Sequence, residues 1–234
     1  MSHRVNISFY RQPIGTEDMP MTHEEALSLL WFLLGVTDKE AHKNKEKPFC
    51  WDFIPQRDGY YSLFFSSICE EDVTKVYQKA QACKEAFQYR GNLLTIVSAT
   101  PIADYVYYDN HLRLTSSSGA YLVRHLYDPQ KNRRHKVSIN AVSDPESCGE
   151  LIRNKLIHRC QLFKGEDVKP ADIRISYLKS ATRRPYDTCD AFHTKMPLQC
   201  VTFKLEAPVP ILDTALYGGI GSCTGSGFGM VMPS

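Results

Sequence analysis

The chain has 234 residues, of which 43% are hydrophobic and 11% aromatic, and its formal net charge is +2. These values describe an ordinary globular protein with one large domain or two of about 100 residues each. No apolar run approaches the roughly 20 residues that a membrane span needs, since the best candidate, 26–34, has nine. The N-terminal residues alternate like a strand, so neither a signal peptide nor a membrane partner is expected.

Eight cysteines are scattered along the chain without a Cys-x-x-Cys pair. This spacing suits neither a zinc site nor a small disulfide scaffold, so reduced thiols in a cytoplasmic protein are expected. The cationic residues, in contrast, are concentrated, because residues 124–184 hold 14 Lys and Arg against 7 Asp and Glu. Such asymmetry predicts a region that contacts a polyanion, with nucleic acid the first candidate and a solvated surface the alternative.

The first hundred residues predict the element order β-α-β-β-α-β. Thr22 and Glu25 form a capping box that should begin a helix at His23 and carry it towards Gly35. Period-two alternation and turn residues predict the remaining elements: strands at 4–9, 49–54, 60–65 and 93–98, and a helix at 70–87. This order is that of a ferredoxin-like unit.

The second half repeats this order less clearly, after a junction at 99–120. Asp144 and Pro145 predict the start of a helix that runs to about residue 162. Where a last helix would be expected, the segment 208–212 is instead interpreted as a short connector. The expected strands are 121–125, 136–142, 172–178, 200–206 and 229–232. The predicted fold class is therefore α+β, with two tandem ferredoxin-like domains at 1–100 and 101–234.

The segment 218–230, GGIGSCTGSGFGM, holds six glycines close to the end of the sequence. Too few residues follow it to form the helix that a dinucleotide-binding fingerprint must open, and the Gly-Lys-Ser/Thr of a P-loop is absent. Two interpretations remain open. One is a tight turn before an edge strand, and the other is a backbone surface whose N–H groups let a polyanion lie close.

The glycine spacing resembles that of the C-terminal loop in RAMP-superfamily proteins. Gly219 and Gly221 are followed, after five residues, by Gly227 and Gly229. With two ferredoxin-like halves before it, the chain resembles the CRISPR-associated endoribonucleases that process repeat RNA. The basic helix after residue 143 is similar to the RNA-binding helix of the type I-F members, and the segment 121–137 is more similar to type I-E members.

This resemblance implies a metal-independent endoribonuclease without a cofactor that cuts CRISPR repeat hairpins in precursor RNA. RNA carries its own nucleophile, the 2′-OH, so cleavage needs a base, alignment and charge stabilisation. The products would be a 2′,3′-cyclic phosphate and a 5′-OH. The enzyme would remain bound to the 3′ hairpin, together with other subunits of a CRISPR effector complex.

Three residues are the catalytic candidates. His23 stands at a first helical turn, where the helix dipole favours a neutral imidazole that can act as a base. The alternative is an ordinary exposed histidine at that turn. His42 is the second choice for the base, and Ser180 falls where the resemblance puts the active-site serine, in a segment 173–182 that is similar to that of the type I-F members.

The residues expected to bind RNA are cationic or belong to the glycine-rich segment: Arg124, Lys131, Arg133, Arg134, His135, Lys136, Arg153, Lys155, Arg159, Lys179, Arg183, Arg184, Gly219, Gly221, Gly225, Gly227 and Gly229. Residues 222–226 lack the Lys or Arg that many relatives carry, so phosphate binding there would rest on backbone N–H groups and hydroxyls. Two other functions remain as alternatives, a non-catalytic RAMP subunit that binds guide RNA as a scaffold and an unrelated small enzyme.

Overall fold

The structure is a computed structural model that describes residues 2–12, 21–36, 46–83, 85–89, 92–117, 119–182 and 198–234. In these residues the chain forms two consecutive units. Each unit has an antiparallel sheet and two α-helices, which pack together around a buried core of their own. The predicted pair of tandem ferredoxin-like domains is confirmed.

The first unit contains a five-stranded sheet in the order β2-β3-β1-β5-β4. Its strands are β1 (Arg4–Gln12), β2 (Phe49–Pro55), β3 (Tyr60–Ser67), β4 (Phe87–Tyr89) and β5 (Asn92–Ile102). Its helices are α1 (His23–Leu34) and α2 (Glu70–Ala82). The central strand β1 alternates, and Val5, Ile7 and Phe9 on one face are fully buried beneath the two helices.

The second unit repeats this topology with a four-stranded sheet in the order β11-β6-β10-β9. Its strands are β6 (His111–Ser116), β9 (Arg174–Thr182), β10 (Gln199–Glu206) and β11 (Val231–Pro233). Its helices are α3 (Pro145–Lys164) and α4 (Val209–Gly218). Between β6 and α3 the chain inserts a separate hairpin of β7 (Val123–Asp128) and β8 (Arg133–Ser138).

The helix starts follow the signals in the sequence. The Thr22 side chain accepts a hydrogen bond from the Glu25 amide while the Glu25 side chain accepts one from the Thr22 amide, so the capping box is formed and α1 begins at His23. At α3 the Asp144 side chain accepts from the Ser147 amide, with Pro145 in the first turn. Both N-caps satisfy backbone donors that have no partner inside the helix.

Three predicted elements are corrected by the structure. The helix expected at 70–87 ends at Ala82, because Phe87 and Tyr89 belong to β4 and both pack on Phe32 of α1. The junction expected at 99–120 contains β6, whose alternating Leu112 and Leu114 are buried in the second core.

The third correction concerns the segment 208–212, which forms the start of α4 rather than a connector. Pro208 is the N-cap and Pro210 lies in the first turn, where a missing N–H costs no intrahelical hydrogen bond. The division at residue 100 stays a prediction, since the first sheet ends at Ile102 and the second begins at His111. No helix in the described part of the chain has both the length and the apolarity that crossing a membrane requires.

Candidate active site and nucleic-acid interface

His23 lies where the two units meet, between β2 and the glycine-rich loop, the name used here for residues 218–230. Its ring stacks on Trp51 of β2 at a centroid distance of 4.7 Å and on Phe228 of the loop at 5.4 Å. Its Nε2 atom lies 2.6 Å from the carbonyl oxygen of Ser226. One residue at the start of a helix is therefore held by both units at once.

The surroundings of His23 favour its neutral form. Burial lowers the pKa of His23, and the hydrogen bond to the Ser226 carbonyl opposes this only in part. Because a carbonyl oxygen accepts, the ring donates its Nε2–H to Ser226 and carries its lone pair on Nδ1. The arrangement therefore supplies a neutral imidazole of one tautomer, which is what a proton acceptor at neutral pH requires.

The glycines of the loop are needed for its packing. Gly219, Gly221, Gly227 and Gly229 all have positive φ angles between 76° and 86°. A Cβ atom on Gly227 would lie 2.6 Å from Cε1 of His23 and 2.8 Å from the Trp51 ring. Glycine at 227 therefore lets the backbone approach the stacked His23 and Trp51 rings.

Three glycine amides of the loop are hydrogen-bonded within the protein. Gly219 donates its N–H to the Ala215 carbonyl, Gly227 to that of Thr224 and Gly229 to that of Gly119. All five glycines predicted to bind RNA, including Gly221 and Gly225, are buried. Protein packs against these glycines, and contact of a polyanion with them stays a prediction.

Arg159 has a different place from the one predicted. It is 1% exposed, and its guanidinium donates to the Gly219 carbonyl at 2.9 Å and to the Lys47 carbonyl at 2.6 Å. Burial lowers its pKa. A side chain so enclosed cannot contact a phosphate, and the predicted RNA contact is corrected to an internal one.

The other cations of α3 are less accessible than the sequence predicts. Lys155 pairs with Glu46 at 3.0 Å, and both side chains are about three-quarters buried. Arg153 is half-buried. The inward face of the helix instead carries Ile152 and Leu156, which are in the second core. The helix therefore offers a weaker cationic surface than the type I-F resemblance implies.

Among the described elements, the β7–β8 hairpin carries the most exposed cationic residues. The predicted RNA-binding residues on it are all exposed: Arg124, Lys131, Arg133, Arg134, His135 and Lys136. Lys131 Nζ lies 4.0 Å from the Asp128 carboxylate at the turn, an exposed pair worth little. Both faces of this two-stranded element are therefore open to a partner.

Strand pairing divides these cations between the two faces. Tyr127 is opposite Arg134 and His125 is opposite Lys136, so these four residues share one face, called here the Lys136 face. Arg124, Arg133 and His135 lie on the other, called the Arg133 face. Lys136 Nζ sits 6.0 Å from the ring centroid of Tyr121, whose carbonyl accepts from Ser222 of the glycine-rich loop. The Lys136 face is thus the one connected to the loop.

Ser180 and Lys179 lie on β9 in the second sheet. The Ser180 hydroxyl donates to the side-chain oxygen of Gln199 at 3.4 Å, and the buried Gln199 also binds the backbone of Ile139 and Ala141. Ser180 thus contacts Gln199, whereas His23 contacts Trp51, Ser226 and Phe228. Lys179 is exposed and lines a shallow cavity of about 470 Å³ with Arg113 and Lys204.

Three predicted site residues, His42, Arg183 and Arg184, lie outside the described residues. In the described ranges, no three or more His, Cys, Asp and Glu side chains are grouped so that they could hold a metal ion. Sequence reasoning missed Trp51, Ser226 and Phe228, which surround His23. Alternation placed Trp51 in a strand, but no local signal could indicate that this strand meets the C-terminal loop.

Comparisons with known proteins agree with this architecture. A family model described as CRISPR associated protein Cas6, C-terminal, matches residues 112–233. A sequence search among curated proteins found no match. Three solved structures are similar. A Cas6-related protein from Pyrococcus furiosus has 14% identity and a TM-score of 0.74, over 100% of this chain and 99% of that one. A RAMP protein described as binding different RNA substrates has 16% identity and a TM-score of 0.71 over 99% of each chain, and a Cas6 product complex has 13% identity and a TM-score of 0.66 over 100% of each chain.

Proposed function

Because the chain belongs to the Cas6 family of CRISPR-associated RAMP proteins, which process repeat RNA, we propose that it is a metal-independent endoribonuclease that cuts repeat hairpins in precursor RNA. Its products are a 2′,3′-cyclic phosphate and a 5′-OH. One observation carries this proposal. A neutral histidine, His23, is fixed against the glycine-rich loop by two stacked rings and a 2.6 Å hydrogen bond.

In the proposed reaction His23 is the general base. Its Nδ1 takes the proton of a ribose 2′-OH, and the 2′-oxygen then attacks the adjacent phosphorus. A bond forms between the 2′-oxygen and phosphorus while the bond from phosphorus to the 5′-oxygen breaks. The leaving 5′-oxygen takes a proton from water and ends as a hydroxyl, and the His23 imidazolium gives its proton back to the solvent. The ring contacts supply the fixed orientation on which such a proton transfer depends.

We propose that the RNA lies along the β7–β8 hairpin and is held mainly through its phosphates. Exposed cations on a two-stranded ribbon suit a hairpin RNA, whose A-form stem is recognised by shape and backbone more than by base edges. Lys155, Arg153 and Lys179 are further candidates for phosphate contacts. Arg183 and Arg184, which follow β9 in the sequence, remain predictions from their charge.

We also propose that the protein acts in the cytoplasm and stays bound to the 3′ hairpin within an effector complex. The described cysteines carry free thiols, with Cys50, Cys148 and Cys160 buried, which supports a reducing compartment. Retention of product predicts a burst of one cut per protein molecule, followed by little turnover. A steady rate over many turnovers would contradict the proposed retention.

Incubation of the purified protein with the repeat RNA of its own locus in EDTA tests the reaction. We expect a single cut that leaves a cyclic phosphate on the upstream product and a hydroxyl on the downstream one. Cleavage that requires added Mg²⁺, or that leaves a 3′-OH, would contradict the proposed chemistry.

His23→Ala tests the assignment of the base. We expect loss of cleavage with hairpin affinity nearly unchanged, because the ring transfers a proton and makes no phosphate contact in this proposal. His3→Ala is the matched control, since the His3 ring also stacks on an aromatic ring, that of Tyr217, and also binds a backbone carbonyl at 2.9 Å. The control should cleave normally, and full activity of His23→Ala would refute the assignment.

The second candidate function is a non-catalytic scaffold that binds guide RNA. The same contacts of His23 favour it, because a stacked ring that donates to a backbone carbonyl is also the geometry of a structural histidine. Tight binding of the repeat hairpin without any cut, in the presence and absence of metal ions, would move the protein to this class.

A further inference from the structure

Arg159 joins the two segments that hold His23. Its two hydrogen bonds reach the carbonyls of Lys47 and Gly219. Lys47 stands four residues before Trp51, which stacks on one side of the His23 ring. Gly219 stands at the beginning of the loop that carries Ser226 and Phe228. One guanidinium therefore spans from the β2 side of the histidine to the loop side.

The chemistry of Arg159 fits this bridging role. The planar guanidinium can donate to two carbonyls in fixed directions at once, which an ammonium group cannot reproduce. Its two hydrogen bonds go to neutral carbonyls, and it is 1% exposed. Burying a charge is costly, and the buried Nε atom of Arg159 has no hydrogen-bond partner among the described residues, so the guanidinium depends on these two carbonyls. The contacts therefore stabilise one spacing between β2 and the loop over others.

Backbone packing makes this spacing critical. A Cβ atom on Gly218 would lie 2.7 Å from the Ile68 side chain and 3.2 Å from Nη2 of Arg159. A Cβ atom on Gly219 would lie 2.9 Å from Cβ of Cys50, in the same strand as Trp51. The backbone at the start of the loop is therefore packed closely against Ile68 and β2, on the side where Arg159 bridges the two segments.

We propose that Arg159 is a positioning residue, which sets the distance between Trp51 and the glycine-rich loop and thereby fixes the His23 ring for its reaction. This inference rests on the proposed function only in its effect on cleavage. The effect on the ring itself is independent of whether His23 is the base.

Arg159→Lys is the test, because it keeps the buried charge and loses the two-carbonyl bridge. The matched control is Arg4→Lys, since Arg4 is 6% exposed and donates to the carbonyls of Leu216 and Val231, which lie in α4 and β11 and not beside His23. Both variants lose an internal arginine and should be destabilised to a similar extent. Only one of them should disturb the histidine.

The direct measurement is the imidazole proton signals of His23 by NMR, assigned by their loss in His23→Ala. Stacking on two rings shifts these signals, so we expect Arg159→Lys to move them and Arg4→Lys to leave them in place. With repeat RNA, Arg159→Lys should reduce the single-turnover rate of cleavage by about tenfold to hundredfold, the range for a misplaced catalytic group, with Kd for the hairpin nearly unchanged.

The outcomes separate this inference from the proposed function. Unmoved His23 signals in a folded Arg159→Lys protein would overturn the positioning role, whatever the activity. Shifted signals without a loss of cleavage would keep the positioning role and count against His23 as the base. Equal shifts in both variants would also overturn the inference, because the effect would then follow from general loosening.

Discussion

At the scale of single residues, the candidate site depends on a close approach of backbone to side chain. Gly227 has a φ angle of 86°, and its Cα faces the His23 and Trp51 rings at a distance that excludes a methyl group. The residue therefore meets two independent requirements, a left-handed backbone and a small volume. Gly165, at the end of α3, meets only the first, because its φ is 70° and nothing lies within 4 Å of a Cβ atom there.

Gly227→Ala should consequently lower the free energy of unfolding more than Gly165→Ala does. At both positions an alanine pays about 1–2 kcal/mol for the left-handed conformation, and at Gly227 the overpacking adds about 1–3 kcal/mol. Chemical denaturation measures both free energies of unfolding. Cleavage should fall sharply for Gly227→Ala alone, since the added methyl displaces His23. Equal costs at the two positions would mean that the loop can move away from the ring.

The lowered pKa of His23 has a consequence for stability against pH. Its unfolded pKa is the ordinary value of about 6.5, and burial brings the folded value below that. Well above about pH 6.5 the residue is neutral in both states and adds no pH dependence. As the pH falls below this value the unfolded state binds a proton first, so the free energy of unfolding decreases.

We therefore expect the wild type to lose more stability than His23→Gln between about pH 6.5 and 5, because the variant has no imidazole there. Urea denaturation at a series of pH values gives both curves, and the carboxylates that titrate in the same range cancel in the difference. Parallel curves would show that the ring is solvated in the folded protein and would remove the physical basis for a neutral base.

At the scale of elements, local sequence signals determine some features of the fold, and contacts between distant residues determine the others. The capping box of Thr22 and Glu25 is a contact within four residues, so the start of α1 could be predicted. The prolines at 208 and 210 obscured α4, because their compatibility with a first turn depends on position rather than composition. The roles of Arg159 and Gly227 could not be predicted, since their partners lie at least 60 residues away in sequence.

The β7–β8 hairpin permits a prediction about which of its faces binds RNA. The Lys136 face adjoins Tyr121 and, through it, the glycine-rich loop that packs on His23. RNA whose scissile bond reaches His23 should therefore lie on this face. Arg134→Ala with Lys136→Ala removes two of its cations, and Arg124→Ala with Arg133→Ala removes two from the Arg133 face.

We expect the first double variant to weaken hairpin binding more than the second. The slope of log K against log salt should fall by about 1.4 to 1.8 for two lost phosphate contacts, and by little for the second double variant. Arg57→Ala, in the exposed turn between β2 and β3, controls for the loss of positive charge as such. A larger effect from the Arg133 face would reverse the proposed orientation of the RNA.

At the scale of the whole molecule, the two units are joined by buried hydrogen bonds and by packing of one unit's residues in the core of the other. Arg4 of β1 donates to the Leu216 carbonyl at the end of α4, and the Ser66 hydroxyl of β3 donates to that of Tyr217. Ile68 belongs to the core of the second unit, although it follows β3 of the first. The Trp51 indole donates to the Gly225 carbonyl of the loop. The candidate site is thus complete only when both units are folded.

This sharing predicts one cooperative unfolding transition. The chain has two tryptophans, Trp31 and Trp51, both in the first unit. Trp51 also donates to the glycine-rich loop, so Trp31 is the one whose fluorescence reports on the first unit itself. Leu205 is fully buried in the second core and Leu63 in the first, and alanine at either position should cost about 2–5 kcal/mol.

With the two units coupled, Leu205→Ala should shift the whole fluorescence transition to a lower denaturant concentration, as Leu63→Ala does. Circular dichroism, which reports on both units, should give the same midpoint as fluorescence in each variant. Independent units would behave differently, because Leu205→Ala would then leave the Trp31 signal at the midpoint of the wild type and split the dichroism curve into two steps. That result would also count against the positioning role of Arg159, because a second unit that unfolds alone would release the glycine-rich loop from His23 while the first unit stays folded.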